Sequence, residues 1–267
     1  MDLAGKLPSD DNKFLCVVGS RNHSEYGKDV CLKLISGLRG YPIVIVSGLA
    51  IGIDSLAHEA ALSAGLTTIA FPGSGLSRET LYPSSRRELA MRILESGGAL
   101  LSPFSSNQIA TVWTFPTRNR LMAGSSHATL IIEAGRKSGT LITADYAAEL
   151  HRDVLTVPGS IFSELSYGPH MLIRRGATPI ASSADILQAF GFRVVRNDGM
   201  NQALPNFAEM ALTPEQRTIV ECLKIESLSS TDIIGKTGYS STKFNTIISE
   251  LELLGTIAES NGKYKIV

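Results

Sequence analysis

Short apolar runs recur through the first two-thirds of the chain, with amphipathic stretches between them. FLCVV (14–18), IVIV (43–46), TTIAF (67–71), ALLSPF (99–104), ATLIIEA (128–134), VLTV (154–157) and the weaker TPIA (178–181) predict strands. The intervening Gly27–Leu38, Asp54–Ala64, Pro83–Ser96 and Leu141–Leu150 predict helices. One more helix is expected from Thr117, with that residue as N-cap and Leu121, Met122 and Ser125 continuing at helical spacing. Regular alternation of this kind marks a doubly wound, mainly parallel α/β sheet. Ligands in such folds bind outside the carboxyl ends of the strands.

The alternation stops near Phe192. Residues 196–211 are polar, aperiodic and carry a Pro and a Gly, so 192–211 is expected as a linker. Residues 212–267 then show three helical patterns and an Asn261-Gly262 turn between TIAES and KYKIV, the order of a winged-helix module. The expected organisation is a short tail (1–13), an α/β domain (14–191), the linker, and a small winged-helix domain (212–267).

Composition narrows the class. With 43% hydrophobic residues, the 267-residue chain can bury a sizeable core. No apolar run approaches the roughly 18–20 residues of a membrane span, so no membrane partner is expected. The opening MDLAGKLPSDDNK shows no signal-peptide pattern. Cys16, Cys31 and Cys222 lie far apart, which argues against zinc ribbons and disulfide scaffolds and for a reducing cytoplasm. Neither a metal nor a cofactor is expected.

Net charge is zero, but its distribution is uneven. Residues 14–190 carry 12 Arg and only 3 Lys against 13 acids. A domain rich in Arg rather than Lys suits bidentate phosphate recognition, although the bias can also be a habit of lineage. From Ser96 to Ile132, 37 residues, there is no Asp or Glu. Within that stretch FPTRNR places Arg118 and Arg120 in the expected first turn of a helix, where the dipole disfavours cations. Two cations without a local counter-charge suggest that an outside anion completes the site.

Four expected strand exits carry small residues: GSRNHSEYG after FLCVV, SGLAIGID after IVIV, PGSG after TTIAF, and GRKSGTLIT after TLIIEA. Glycines there let backbone amides approach an anion, and the following helix adds a favourable field. Neither GxGxxG nor a P-loop occurs. Asp54 and His58, one helical turn apart, could form an acid–base pair, but a helix-capping Asp54 is the simpler account. Glu133 could equally bind a ribose hydroxyl or satisfy nearby backbone amides. Trp113 and Phe115 are the aromatics nearest the arginines. A ring beside phosphate-binding arginines is a single-strand recipe, and either ring could instead fill core space.

Taken together, VGSRNHSEYG, SGLAIGIDSLAHEAAL, GSGLSRETLYP, GALLSPF, FPTRNRLMAGSS, IIEAGRKSGTLITADYAAE and VPGSIFSELSYGPHMLIRRGA resemble the DNA-processing protein A (DprA, or Smf) family, from about Leu15 to Phe190. The resemblance implies an extended Rossmann-like domain without enzymatic activity. It further implies single-stranded DNA binding, homodimerisation, and help in loading the RecA recombinase during natural transformation. Carried over by motif, the phosphate pocket would use Ser20, Arg21, Ser47, Gly48 and Gly52, joined by Phe115, Arg118, Asn119 and Arg120. The chain departs from the family pattern at Arg86, where Asn is common, at Pro103, where an acid is usual, and at Val112–Thr114, where many relatives carry a basic residue. The competing class is a nucleotide hydrolase of the phosphoribohydrolase type. Its PGGxGTxxE motif is matched here only by Gly139 and Thr140, with Thr143 in place of the catalytic Glu.

Overall fold

A computed structural model describes residues 1–192, 213–223, 228–253, 256–260 and 262–266. The chain divides into two compact units, Met1–Val194 and Val195–Val267. Apart from Phe192, the expected linker lies outside the described residues.

The first unit is built on an eight-stranded sheet of order β1-β5-β4-β3-β2-β6-β7-β8. Its strands are β1 (Asp2–Gly5), β2 (Lys13–Val18), β3 (Ile43–Ser47), β4 (Thr68–Ala70), β5 (Ala99–Ser102), β6 (Ala128–Ile131), β7 (Asp153–Thr156) and β8 (Thr178–Pro179). All neighbours are parallel except β1, which pairs antiparallel with β5. Residues 2–5, expected in an N-terminal tail, thus extend the sheet: Leu3 lies opposite Leu101. Four residues with two apolar side chains, of which only Ala4 packs on the core, carry too little pattern to announce a strand; the edge of β5 supplies the hydrogen bonds.

Alternate residues of the central strands feed opposite faces, as the two-residue strand period requires. Leu15, Val17, Ile43, Ile45, Leu130 and Ile132 pack under α1 (Glu25–Ser36), α2 (Ile53–Ala64) and, further along, α7 (Ser183–Ala189). Cys16, Val18, Val44, Val46 and Ile131 pack against α4 (Thr114–Gly124), α5 (Gly139–Glu149) and α6 (Tyr167–Arg174). Helix α3 (Arg87–Glu95) covers Ala70 and Leu100 near the β5 edge. Because both faces are covered, the strands read as unbroken apolar runs rather than alternating ones. The doubly wound α/β sheet is as expected.

Helix starts are fixed locally. The Ser24 hydroxyl accepts from the Gly27 amide at the head of α1 (3.1 Å). Ser138 does the same for Thr140 at α5 (3.2 Å). Helix α2 ends on Gly65 in the left-handed region, φ 71°, where glycine has no Cβ to strain. Helix α4 departs from expectation. It begins at Thr114, three residues before the expected N-cap, with Pro116 inside the first turn where a missing amide costs nothing. Thr117 instead donates back to the Trp113 carbonyl (3.2 Å).

The second unit holds α8 (Pro214–Leu223), β9 (Leu228–Ser229), α9 (Ser230–Thr237), α10 (Ser241–Leu253), β10 (Ile257–Ser260) and β11 (Lys263–Ile266). Strands β10 and β11 pair antiparallel, and β11 also pairs with β9. Ile219, Leu228, Ile233, Phe244, Ile248 and Leu251 form its own core.

Candidate functional site

Chain order and strand order together place a crevice. From β2 the chain winds outward through β3, β4 and β5, then returns to lay β6 on the other side of β2. The loops leaving β2 and β6 therefore diverge above neighbouring strands, which is the topological switch point of an open parallel sheet. A cleft of about 630 Å³ opens there. Ser20 and Arg21 line it from the β2 exit; Phe115, Arg118 and Asn119 from α4; Arg136, Lys137 and Thr140 from the β6 exit. A smaller hollow continues past Phe115, Arg21 and Arg118 toward Gly48, Gly73 and Tyr82.

The loops are braced against one another. The Thr140 hydroxyl donates to the Gly19 carbonyl (3.1 Å) and ties the two walls together. Glu133, buried at the end of β6, accepts from the Ser24 amide (2.9 Å) and hydroxyl, which fixes the first turn of α1. It thereby satisfies local donors, and a Cβ at Gly27 would fall 2.3 Å from its carboxylate. Gly52, at φ 92°, lets the β3 exit pass under the β2 loop: a Cβ there would meet the Ser20 carbonyl at 2.4 Å. The glycine is needed for packing. Ser47 is also turned inward, donating to the Val17 carbonyl (2.6 Å), and neither residue lines the cleft.

The two arginines of FPTRNR part company. Arg118 is buried and donates to the Gly48 and Phe71 carbonyls at the ends of β3 and β4, and its Nε donates to Asn119 (2.9 Å). Asp54 accepts from the Gly48 amide (3.1 Å), and its carboxylate and the Arg118 guanidinium both crowd the point where a Gly48 side chain would begin. Burial raises the Asp54 carboxyl above its ordinary range, opposed by Arg118, by the Gly48 and Ala50 amides, and by Arg21. Burial likewise lowers the Arg118 guanidinium, opposed chiefly by Asp54. Arg118 is therefore a strap across strand ends with its counter-charge inside the fold. Arg120 points elsewhere: exposed, it pairs with Glu149 (3.1 Å) and lies over Tyr146 on α5, outside the lining of the cleft. The inference that both lack a counter-charge is overturned. The acid-free stretch was real, but Asp54 and Glu149 arrive from distant parts of the chain.

Arg21 remains. It is exposed, lies 5.6 Å over the half-buried Phe115 ring, and has no ion-pair partner among the described residues. Arg136 and Lys137 are likewise exposed and without an ion pair among the described residues; Arg136 lies 4.2 Å over Tyr167. Neither was singled out from the sequence. GRKSG reads as a strand exit, but nothing local says that this exit faces Arg21 across the switch point. The lining includes one carboxylate among the described residues, Asp54, already engaged. The result is a cationic trough with an aromatic wall, suited to an anion that also carries a flat apolar ring.

His58 is not part of it. It is buried, Nδ1 lies 2.7 Å from the Thr68 hydroxyl, and burial pushes its pKa down to about 3. An acid–base pair with Asp54 is not what the fold builds. Among the described residues no group of three or more His, Cys, Asp or Glu is arranged to hold a metal, and no helix is long and apolar enough to cross a membrane.

The family profile of DNA recombination-mediator protein A matches residues 2–191. Protein Smf of Escherichia coli is 36% identical over 268 residues, spanning 97% of this chain and 69% of its own. DNA processing protein DprA of Streptococcus pneumoniae is 42% identical over 178 residues, spanning 67% of this chain and 62% of the relative. The X-ray structure of the pneumococcal protein is similar with a TM-score of 0.62 at 40% identity, covering 67% of this chain and 62% of that one. The structure of DNA processing protein A from Helicobacter pylori, which concerns its single-stranded DNA binding mode, is similar with a TM-score of 0.59 at 25% identity, covering 67% of this chain and 80% of that one. This chain thus spans less than two-thirds of the length of the pneumococcal relative.

Proposed function

The chain belongs to the DNA recombination-mediator protein A family, and on that premise we propose that it binds single-stranded DNA in the switch-point cleft without catalysing a reaction. The observation that carries this is the lining: Arg21 over the Phe115 ring, with Arg136 and Lys137 in the same cleft. Charge tracks a phosphate backbone and a ring stacks an unpaired base, a combination that duplex DNA cannot use because its bases are already stacked. The Helicobacter pylori relative's single-strand binding mode supports the same assignment.

Arg21, Ser20 and Asn119 are the direct contacts in this account, with Arg136 and Lys137 added. Arg118, Ser47, Gly48 and Gly52 shape the pocket from behind, and Arg120 lies to one side. The family's description as a recombination mediator supports a further role, holding strands for a RecA-type recombinase; action in the cytoplasm and as a homodimer rests on the sequence and its family resemblance alone. The second unit, whose helices and hairpin follow the order of a winged helix, serves in regulation or protein contact. Lys243, on its α10, is already paired with Glu215 (3.5 Å).

No observation favours the nucleotide hydrolase. Thr143, where that class needs its carboxylate, is buried, and Asp54 is occupied by the Gly48 amide. The test is a gel-shift titration with single- and double-stranded oligonucleotides of equal length, with a parallel incubation against nucleoside monophosphates. Preferential retention of the single strand and no release of free base are expected. Equal affinity for duplex and single strand would refute the assignment.

A further inference from the structure

The segment leading into α4 is apolar and open to solvent. Ile109 is 64% exposed, Val112 89% and Trp113 58%. Large apolar side chains gathered in water mark a contact surface more often than an accident of folding. Trp113 is also held in place. It is the N-cap residue of α4, its carbonyl accepts from Thr117, and its ring meets the buried Phe104 edge-on at 5.8 Å and 83°. Such a ring is pre-oriented by its neighbour yet presents much of its surface outward.

Its position fixes what it can receive. Val112, one residue before, and Phe115, two residues after, both line the cleft. Residues 101–117 contain no charged side chain, so this segment brings no cation of its own to a phosphate. The Phe115 ring is attended by Arg21 and Arg118 and by the edge of Tyr82, whereas no cation lies over Trp113 among the described residues. Resting on the single-strand assignment above, we propose that Trp113 is a second stacking platform, on the shoulder of the cleft, that takes an unpaired DNA base beyond the one at Phe115. Phosphates stay with the cations across the trough, and bases turn toward the apolar side.

Trp113 is the chain's single tryptophan, so its emission reports on this one ring. The full chain is titrated with oligothymidylate and with an abasic strand of the same length. Binding is followed by anisotropy of an end label and stacking by tryptophan emission on unlabelled strands. Oligothymidylate should quench the emission in step with binding, while the abasic strand binds without quenching. Trp113→Ala should weaken oligothymidylate by about 5-fold or more and leave the abasic strand unaffected, with Trp113→Phe retaining most of the affinity. Anisotropy that rises while emission stays flat overturns the platform and leaves the single-strand assignment standing; so does Trp113→Ala weakening both strands alike. An emission change that follows protein concentration without DNA assigns the shoulder to a second copy of the chain and also overturns it. Absence of binding to either strand removes both.

Discussion

Arg118→Ala tests whether this arginine is a strap or a ligand. The substitution removes the guanidinium that donates to the Gly48 and Phe71 carbonyls and deprives the buried Asp54 carboxylate of its largest favourable charge, leaving it the Gly48 and Ala50 amides and Arg21. Two hydrogen bonds from a charged donor contribute about 1.5–3 kcal/mol each. Arg118 and Asp54 are not in ion-pair contact, so the loss of their attraction adds less than the roughly 3–5 kcal/mol typical of breaking a buried ion pair. These overlap, since the same atoms are counted twice, so the expected loss is about 3–5 kcal/mol. For a domain of this size that lowers Tm by roughly 10 °C. The assay is urea unfolding at neutral pH followed by far-UV circular dichroism, with Arg118→Ala, Asp54→Asn and the double variant forming a cycle. The double variant should be less destabilised than the sum of the singles, because each relieves the charge the other strands. Gly48→Ala should mimic the loss, since its Cβ would lie 2.1 Å from Arg118 Nη1. If Arg118→Ala unfolds at the wild-type urea concentration yet loses DNA binding, the strap is wrong and Arg118 is a phosphate ligand.

Arg21→Ala should leave stability unchanged and lower the salt slope of single-strand binding by about 0.7, the value for one phosphate contact, whereas Arg120→Ala should leave the slope alone; slopes that move together would place both in the cleft. A chain ending at Gly191 should keep most of the single-strand affinity, measured by gel shift beside residues 212–267 alone; binding confined to the C-terminal piece would refute the site. His58 titrates near 6.5 when unfolded and at about 3 when folded. The unfolded state therefore binds the extra proton, and stability is lost as pH falls from about 6.5 toward 3. The contribution is about 2 kcal/mol smaller at pH 5 than at pH 7, and His58→Gln should flatten that part of the pH profile in urea unfolding.

Much of this protein was legible in one dimension. Unbroken apolar runs such as IVIV announce strands buried on both faces, because a strand that is covered above and below has no polar side to declare. The spacing of those runs with helices between them settles a parallel sheet, since parallel neighbours need a crossover. Glycine-bearing exits mark the working edge. Ser20 and Arg21 sit on such an exit, Phe115 was marked by its place beside the arginines, and Asn119 came only with the family resemblance; all four line the cleft. Strand β1 and the true start of α4 were not legible. One is decided by a partner edge about a hundred residues away, the other by Thr114, whose hydroxyl donates to the Gly73 carbonyl (2.7 Å).

Charge was the least legible quantity. A sequence shows which residues are ionised but not which face each other, because Coulomb interactions depend on distance in space and on burial. The sequence alone determined that a cationic, acid-free segment meets glycine turns in an α/β sheet. Tertiary structure decided that Arg118 is spent on strand carbonyls beside Asp54 and that Arg120 is paired with Glu149. It also decided that Arg136 and Lys137 face Arg21 across the crevice. The reversal of strand order between β2 and β6 sets those loops side by side, and strand order is a property of how the chain folds back, not of any local run of residues.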